Sequence, residues 1–324
     1  MSSPCSRGHV NAHPGPVRST LVDGAGDIVF LHYPEVRPEN WALFQRAATL
    51  RGVRINSWMP HLLDVFCTDD GVIGRYAGDS LRPERVVHRT VSSFPGLLVP
   101  VLQLWAAEGT SVLNDPVKSF EARDKLLTSL ALQRARVPIV PTIAYFEPNE
   151  PNLSMLSGDR VILKPGHGVR GEGIRVVSAK AAAGVGSGSV DRRADRPSGG
   201  MHCVREHHLA QRLVGGGGDD LRAFVVAGRC LGVMRRSAQP GEIRANLALG
   251  ASASALAVDH PAAAVAVAAV RACGLDYGGV DLIEDGQGTL RVLEVDAWAG
   301  FAGVSRVTGA DVAGAILDLA LSRG

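Results

Sequence analysis

Strand-like runs alternate with helical patterns through the first third of the chain, and that alternation leaves few folds open. Residues 27–32 (Asp-Ile-Val-Phe-Leu-His) are a short apolar run that reads as a buried strand. Pro38–Arg51 follows as a helix, with Trp41, Leu43, Phe44, Ala47 and Ala48 on its apolar side and Gly52 placed to end it. Residues 53–59 and 85–88 read as further strands, and 97–107 as a helix. Parallel neighbours need a crossover long enough to hold a helix, and these segments supply one. The expected architecture at this end is a parallel α/β sheet.

Beyond residue 115 the pattern changes. Residues 115–134 carry one helical pattern (Phe120, Leu126, Leu127, Leu130, Leu132) that Pro138 and Pro141 stop. Strand candidates at 161–164 and 173–177 flank a glycine-dense loop, and others lie at 221–226, 230–234, 279–283 and 290–295. Helices are expected at 262–273 and 311–322. At ~150 residues per domain, 324 residues predict two domains or three small ones. The expected division is a disordered leader at 1–26, an α/β domain at 27–113, a central unit at 114–213 with a low-complexity mobile insertion at 181–200, and a C-terminal unit at 214–324.

Charge and targeting signals narrow the setting. With 34 basic against 32 acidic residues the formal charge is +2, which speaks against a dedicated nucleic-acid or polybasic membrane partner. The longest apolar stretch, 261–270, is about half the ~20 residues a membrane span needs, and the N-terminal segment has no hydrophobic signal core. Five scattered cysteines form no CxxC pair. A cytoplasmic protein with reduced thiols is expected; a homo-oligomer is left open.

Three groups of residues could carry chemistry. Strand alternation places Glu294 and Asp296 on one face, and the turn at 284–289 can fold Asp281 alongside them. Three converging carboxylates repel unless a cation sits between them, as Mg²⁺ would; a solvated acidic face is the plain alternative. Next, Lys164-Pro-Gly-His-Gly-Val-Arg-Gly-Glu-Gly173 sets a lysine before a loop whose glycines, including Gly168 and Gly171, let backbone N–H groups close on phosphate oxygens. It is neither a Walker A nor a Rossmann motif, and by itself a turn would explain it as well. Third, Asp220-Leu-Arg222, Arg235-Arg236 and Glu242-Ile-Arg244-Ala-Asn246 offer guanidinium forks for a phosphoryl group, or simply surface ion pairs. Ala122-Arg123-Asp124-Lys125 alone reads as a solvated helix face. No nucleophile elbow and no HExxH pairing occur, so the histidines are expected in core or surface roles.

The order of these pieces says more than any one of them. A lysine, a lysine with a glycine loop, Asp-x-Arg, Arg-x-Asn, Asp and Glu-x-Asp together resemble the ATP-grasp superfamily, and more narrowly the RimK-type carboxylate–amine ligases, over about residues 27–322. The most specific stretches are 114–128 (NDPVKSFEARDKLLT), 161–174, 220–226, 241–247 and 274–281 running on to Glu294-Val-Asp296. The resemblance implies an N-terminal pre-ATP-grasp domain followed by two α+β subdomains that sandwich ATP, with 114–213 as the lid.

It also implies a site. Lys125 and Lys164 would contact the phosphates under the glycine loop (Gly168, Gly171, Gly173). Gln211 and Arg212 would hold the adenine, and Asp220 would lie near the ribose. Arg222, Arg236, Arg244 and Asn246 would face the γ-phosphate or an acyl phosphate, and Asp281, Glu294 and Asp296 would hold Mg²⁺, with Mn²⁺ as an alternative. Arg89 would face a substrate. Three departures from the family pattern stand out: Asp296 where Asn is usual, Arg212 where Glu is usual, and Ala297-Trp298-Ala-Gly300 after the metal motif. The implied reaction joins a carboxylate donor to an amine acceptor, an amino acid or small peptide, at the expense of ATP. An ATP-grasp kinase and a non-catalytic nucleotide-binding module are the competing readings. Of only four lysines in the chain (Lys118, Lys125, Lys164, Lys180), two fall at the implied phosphate contacts.

Overall fold

The structure is a computed structural model that describes residues 20–21, 28–69, 71–89, 95–146, 151–156, 158–167, 173–178, 207–214, 218–239 and 250–323. The insertion at 181–200 lies outside these residues. So does all of the expected leader apart from Thr20–Leu21, which pairs in parallel with Leu81–Arg82.

The N-terminal sheet is parallel, in the order Ile55–Trp58, Ile28–Leu31, Arg85–His88, Ser111–Leu113. Ile28–Leu31 is buried throughout because helices cover both of its faces. Ile28 and Phe30 meet Phe44, Ala47 and Ala48 of Pro38–Arg51, while Val29 and Leu31 meet Leu98, Val101, Leu102 and Trp105 of Pro95–Ala107. Gly52 ends the first helix at φ 64°, donating its N–H to Ala48 O and Thr49 O. A hairpin that the sequence reading did not identify, Leu63–Thr68 with Gly71–Tyr76, lies beside Pro95–Ala107. Gly74 makes room for it: a Cβ there would sit 2.9 Å from the Trp105 Nε1.

The single helix expected over 115–134 is two. Pro116–Glu121 is capped by Asp115, and Lys125–Arg134 by Asp124, whose Oδ1 accepts from Leu126 N (2.8 Å) and Leu127 N (3.0 Å). The Asp124 side chain competes for the helical N–H groups and restarts the helix one residue before Lys125.

A four-stranded antiparallel sheet follows, ordered Arg175–Ser178, Arg160–Pro165, His207–Arg212, Thr142–Phe146; its last two strands were not expected. The third sheet is five-stranded and antiparallel: Ser252–Ala255, Arg229–Ser237, Asp219–Val226, Tyr277–Glu284, Leu290–Asp296. Leu221, Ala223, Val225, Val280, Leu282 and Val295 pack one face against the helix Ala262–Ala272. Leu132 and Val137 join that core, and Val292 N donates to Pro138 O, so 116–140 lean on the third sheet. On its other face Phe224, Val226 and Met234 share a core with Phe30, Phe44, Phe301, Val304, Ile316 and Leu317. Asn114 bolts this junction: fully buried, its Oδ1 accepts from Asp276 N (2.8 Å) and Tyr277 N (3.0 Å), and its Nδ2 donates to Tyr277 O (3.0 Å). No helix of the described residues is long and apolar enough to cross a membrane.

Candidate active site

Sheet register turns scattered charges into a row. Asp220 pairs opposite Arg236, Arg222 opposite Asp281, Asp281 opposite Glu294, and Gly279 opposite Asp296. Residues directly opposite share a face, so one face of the third sheet carries Arg236, Asp220, Arg222, Asp281, Glu294 and Asp296 in sequence across four strands. Alternation along the strands sends Leu221, Val280 and Val295 to the other side, where the helix Ala262–Ala272 covers them.

Four of these six are paired among themselves. Arg236 grips Asp220 through Nε and Nη2, both at 2.6 Å, and reaches Asp281 at 3.1 Å. Arg222 grips the same Asp281 with its Nε on Oδ1 and its Nη2 on Oδ2 at 2.8 Å. Against burial, the two guanidinium groups hold Asp281 below the usual carboxylate range. Burial, with the Asp281 charge beside it, pushes Asp220 up to about 6 despite Arg236. Arg236 itself is buried, yet Asp281 and Asp220 keep it more firmly protonated than usual.

Glu294 and Asp296 are differently placed. Burial raises the Glu294 carboxyl, Asp281 and Asp296 add to the rise, and Lys125 and Lys164 oppose it. Asp296 accepts the Trp298 N–H at 2.8 Å. Lys164, 9% exposed, is the last residue but one of the strand Arg160–Pro165; burial lowers its amine to about 8, with Glu294 pulling the other way and Lys125 adding to the depression. Lys125 opens its helix by donating its N–H to Gly166 O (3.2 Å), the residue where the glycine loop begins. It lines a small cavity together with Glu294, Thr128, Ser129, Ile139 and Gln211. Two lysines and Glu294, from three separate segments, thus come within electrostatic reach.

Gln211 is buried on His207–Arg212, donating its Nε2 to Thr142 Oγ1 (2.8 Å), and Arg212 follows it, half-buried. Gly173 sits at φ 73°, a conformation that favours glycine. Gly168, Gly171, Arg244 and Asn246 lie outside the described residues. Arg89 donates its Nη2 to Ala299 O (2.7 Å) and Trp298 O (3.3 Å), and its guanidinium stands over Phe301, Phe44 and Tyr277 at 5.3–5.8 Å. It thereby ties the N-terminal sheet to the loop after Asp296.

Sequence reasoning missed Arg37 and Asn40. With Arg89, Trp41, Phe44 and Trp298 they line a cavity of about 60 Å³ beside the Asp296 end of the row. Asn40 Oδ1 accepts from Phe301 N and Ala302 N, leaving its buried Nδ2, like the Arg89 Nη1, with no partner among the described residues. Burial depresses the Arg37 guanidinium, against the pull of Asp296. No periodicity marks these two, since a cavity formed between distant segments leaves no local pattern.

The three-sheet arrangement, with charges converging between the second and third sheets, is that of an ATP-grasp protein. It aligns with the ATP-grasp ligase PsnB complexed with minimal precursor at a TM-score of 0.67 and 21% identity, over 92% of this chain and 99% of that one. A PsnB structure with minimal precursor, Mg and ADP gives 0.65 and 21% over 91% and 96%. Residues 161–320 match the RimK-like ATP-grasp domain. A probable alpha-L-glutamate ligase of Alkalilimnicola ehrlichii is 32% identical over 245 residues, 74% of this chain and 77% of that protein. The chain belongs to the RimK-like ATP-grasp family.

Proposed function

We propose that the protein is an ATP- and Mg²⁺-dependent carboxylate–amine ligase acting on an amino acid or small peptide. The observation that carries this reading is the approach of Lys125 and Lys164 to Glu294, cations for phosphate oxygens set against an acid for a metal. Glu294 and Asp296 fit Mg²⁺, which takes one or two carboxylates and leaves its remaining positions to water and phosphate. Asp281 fits less directly, because Arg222 and Arg236 hold it; it would join the ligands of Mg²⁺ only if an incoming phosphate drew those arginines away. Bound there, Mg²⁺ would neutralise charge on the phosphates.

This chain's residues do the rest. Lys125 and Lys164 hold the phosphates, and Gln211 lines the same cavity toward the base. Arg222 and Arg236 steady the phosphoryl group as it moves from ATP to the donor carboxylate. The amine then attacks that acyl phosphate, the C–O bond to phosphate breaks, and an amide, ADP and phosphate leave. Arg37, Asn40 and Arg89 present donors without a matching acid in their cavity, which suits a substrate carboxylate. Similarity to glutamate ligases supports an acidic amino acid there.

The test is ADP release with Mg²⁺, glutamate and a panel of amine acceptors, with products read by mass. Amide products and acceptor-dependent turnover are expected. Turnover indifferent to every amine, with a stable phosphorylated product, would overturn the ligase reading in favour of a kinase.

A further inference from the structure

A second cluster sits apart from the charged row, on the second sheet and the helix facing it. Asp124, His167 and His207 bring one ligand atom each to within 4.8 Å of one another. Asp124 is the cap of the helix Lys125–Arg134, His167 lies three residues beyond Lys164, and His207 opens the strand that pairs with Arg160–Pro165. Each histidine Nε2 stands 3.4 Å from an Asp124 oxygen: His167 from Oδ2, His207 from Oδ1. That is long for a charge-assisted hydrogen bond, which runs to ~2.7–2.9 Å. An N···O distance of that size matches the edge of a tetrahedron with bonds of ~2.0–2.1 Å, about 3.3–3.4 Å, and one imidazole stands at that distance from each oxygen of the carboxylate.

Three further observations fit. The His207 Nε2 is buried and makes no hydrogen bond among the described residues. The backbone is shaped to the ring, since a Cβ at Gly166 would run into the His207 imidazole, and Gly166 N donates to His207 O at 2.8 Å. The Asp124 carboxylate is fixed in place by the Leu126 and Leu127 N–H groups, which donate to its Oδ1 at 2.8 and 3.0 Å. The His207 and Asp124 side chains are only 14% and 16% exposed, while His167 at 43% leaves an ion a way in.

We infer that Asp124, His167 and His207 form a site for a transition-metal ion of the Zn²⁺ class, with the fourth position left to solvent. Two imidazoles select against Mg²⁺, which prefers oxygen donors, so this site and the carboxylate row would sort two metals by ligand chemistry. An ion here would fasten the beginning of the glycine loop to the helix that carries Lys125.

The test is Co²⁺ titration of the full chain in excess Mg²⁺. One Co²⁺ per chain should give the intense visible bands of tetrahedral coordination, bleached by Zn²⁺. His167→Ala, on an exposed position, and Asp124→Asn, which keeps the helix cap, should each weaken the site by more than ~100-fold, beyond what loss of an outer hydrogen-bond partner costs. Glu294→Ala should leave the bands unchanged, and Zn²⁺ should raise the Tm of the unaltered chain but not of the His167→Ala variant. Absence of bands, a weak octahedral spectrum alone, or bands lost with Glu294→Ala but kept with His167→Ala would each overturn the inference.

Discussion

The second sheet and the shared core of the first and third sheets handle the same problem with unequal means. Among the described residues, the cluster under the second sheet has Leu153, Leu156, Val161 and Ala210 buried, with Ile143, Tyr145, Leu163 and Val177 partly buried against them. The shared core joins Ile28, Phe30 and Phe44 to Phe224, Phe301, Ile316 and Leu317, with Asn114 bonded across it. Fewer buried apolar contacts among the described residues mean a lower free energy of local opening, so the element carrying Lys164 opens more readily than the shared core. The frame that holds Glu294 and Asp296 is built to stay.

The largest test of that contrast is Phe301→Ala. Loss of a fully buried ring from the shared core should cost ~3–5 kcal/mol and lower a single cooperative transition seen equally by probes on the first and third sheets. Two separate transitions, with the first sheet unmoved, would break the comparison. Next comes Lys164→Met, expected to cut ATP turnover by ~10²–10³-fold, by analogy with loss of one preorganised donor, while thermal stability holds because a buried amine is removed. A parallel fall in Tm would mean that Lys164 supports the fold instead.

Leu156→Ala should cost ~2 kcal/mol, the lower end for such truncations, because a small core collapses more readily. Amide exchange should accelerate in 160–165 and 207–212 and stay unchanged in 28–31; uniform acceleration would erase the distinction. The smallest effect is one of pH. Lys164 titrates near 8 when folded against 10.5 as a free side chain. Between those values the unfolded chain holds a proton the folded chain has shed, so this group makes stability rise with pH across that window and contributes no slope below it. Nucleotide affinity should run the other way, weakening as pH passes 8 and the amine loses its charge. Lys164→Met should flatten both profiles.

What could be read from the sequence tracks how local the deciding interactions are. Pro38–Arg51 with Gly52, and the strand Arg85–His88, declare themselves through side-chain spacing and a stop residue. The shared face of Glu294 and Asp296 followed from alternation, and the turn at 284–289 was expected to bring Asp281 beside them, as the register does. The capture of Asp281 by Arg222 and Arg236 did not, because register between segments some sixty and forty-five residues apart is set by the whole sheet. His207–Arg212 was missed since His-His-Leu-Ala-Gln-Arg has no alternation, being buried on both sides of its middle. The break before Lys125 was missed because the cap at Asp124 lies inside an unbroken apolar pattern. Arg37 and Asn40 acquire meaning only once Trp298 arrives from the far end of the chain.

The pairing of Pro38–Arg51 with Val312–Ser322 has a consequence for the order of synthesis. Arg51 bonds Asp318 at 2.7 Å and Asp311 at 3.1 Å, and the Phe44 face packs in the core that contains Ile316 and Leu317. Pro38–Arg51 is therefore made long before Val312–Ser322, the helix that completes the cover of its Phe44 side. A nascent chain that ends between them leaves part of that apolar side in water, the kind of transient exposure that favours aggregation.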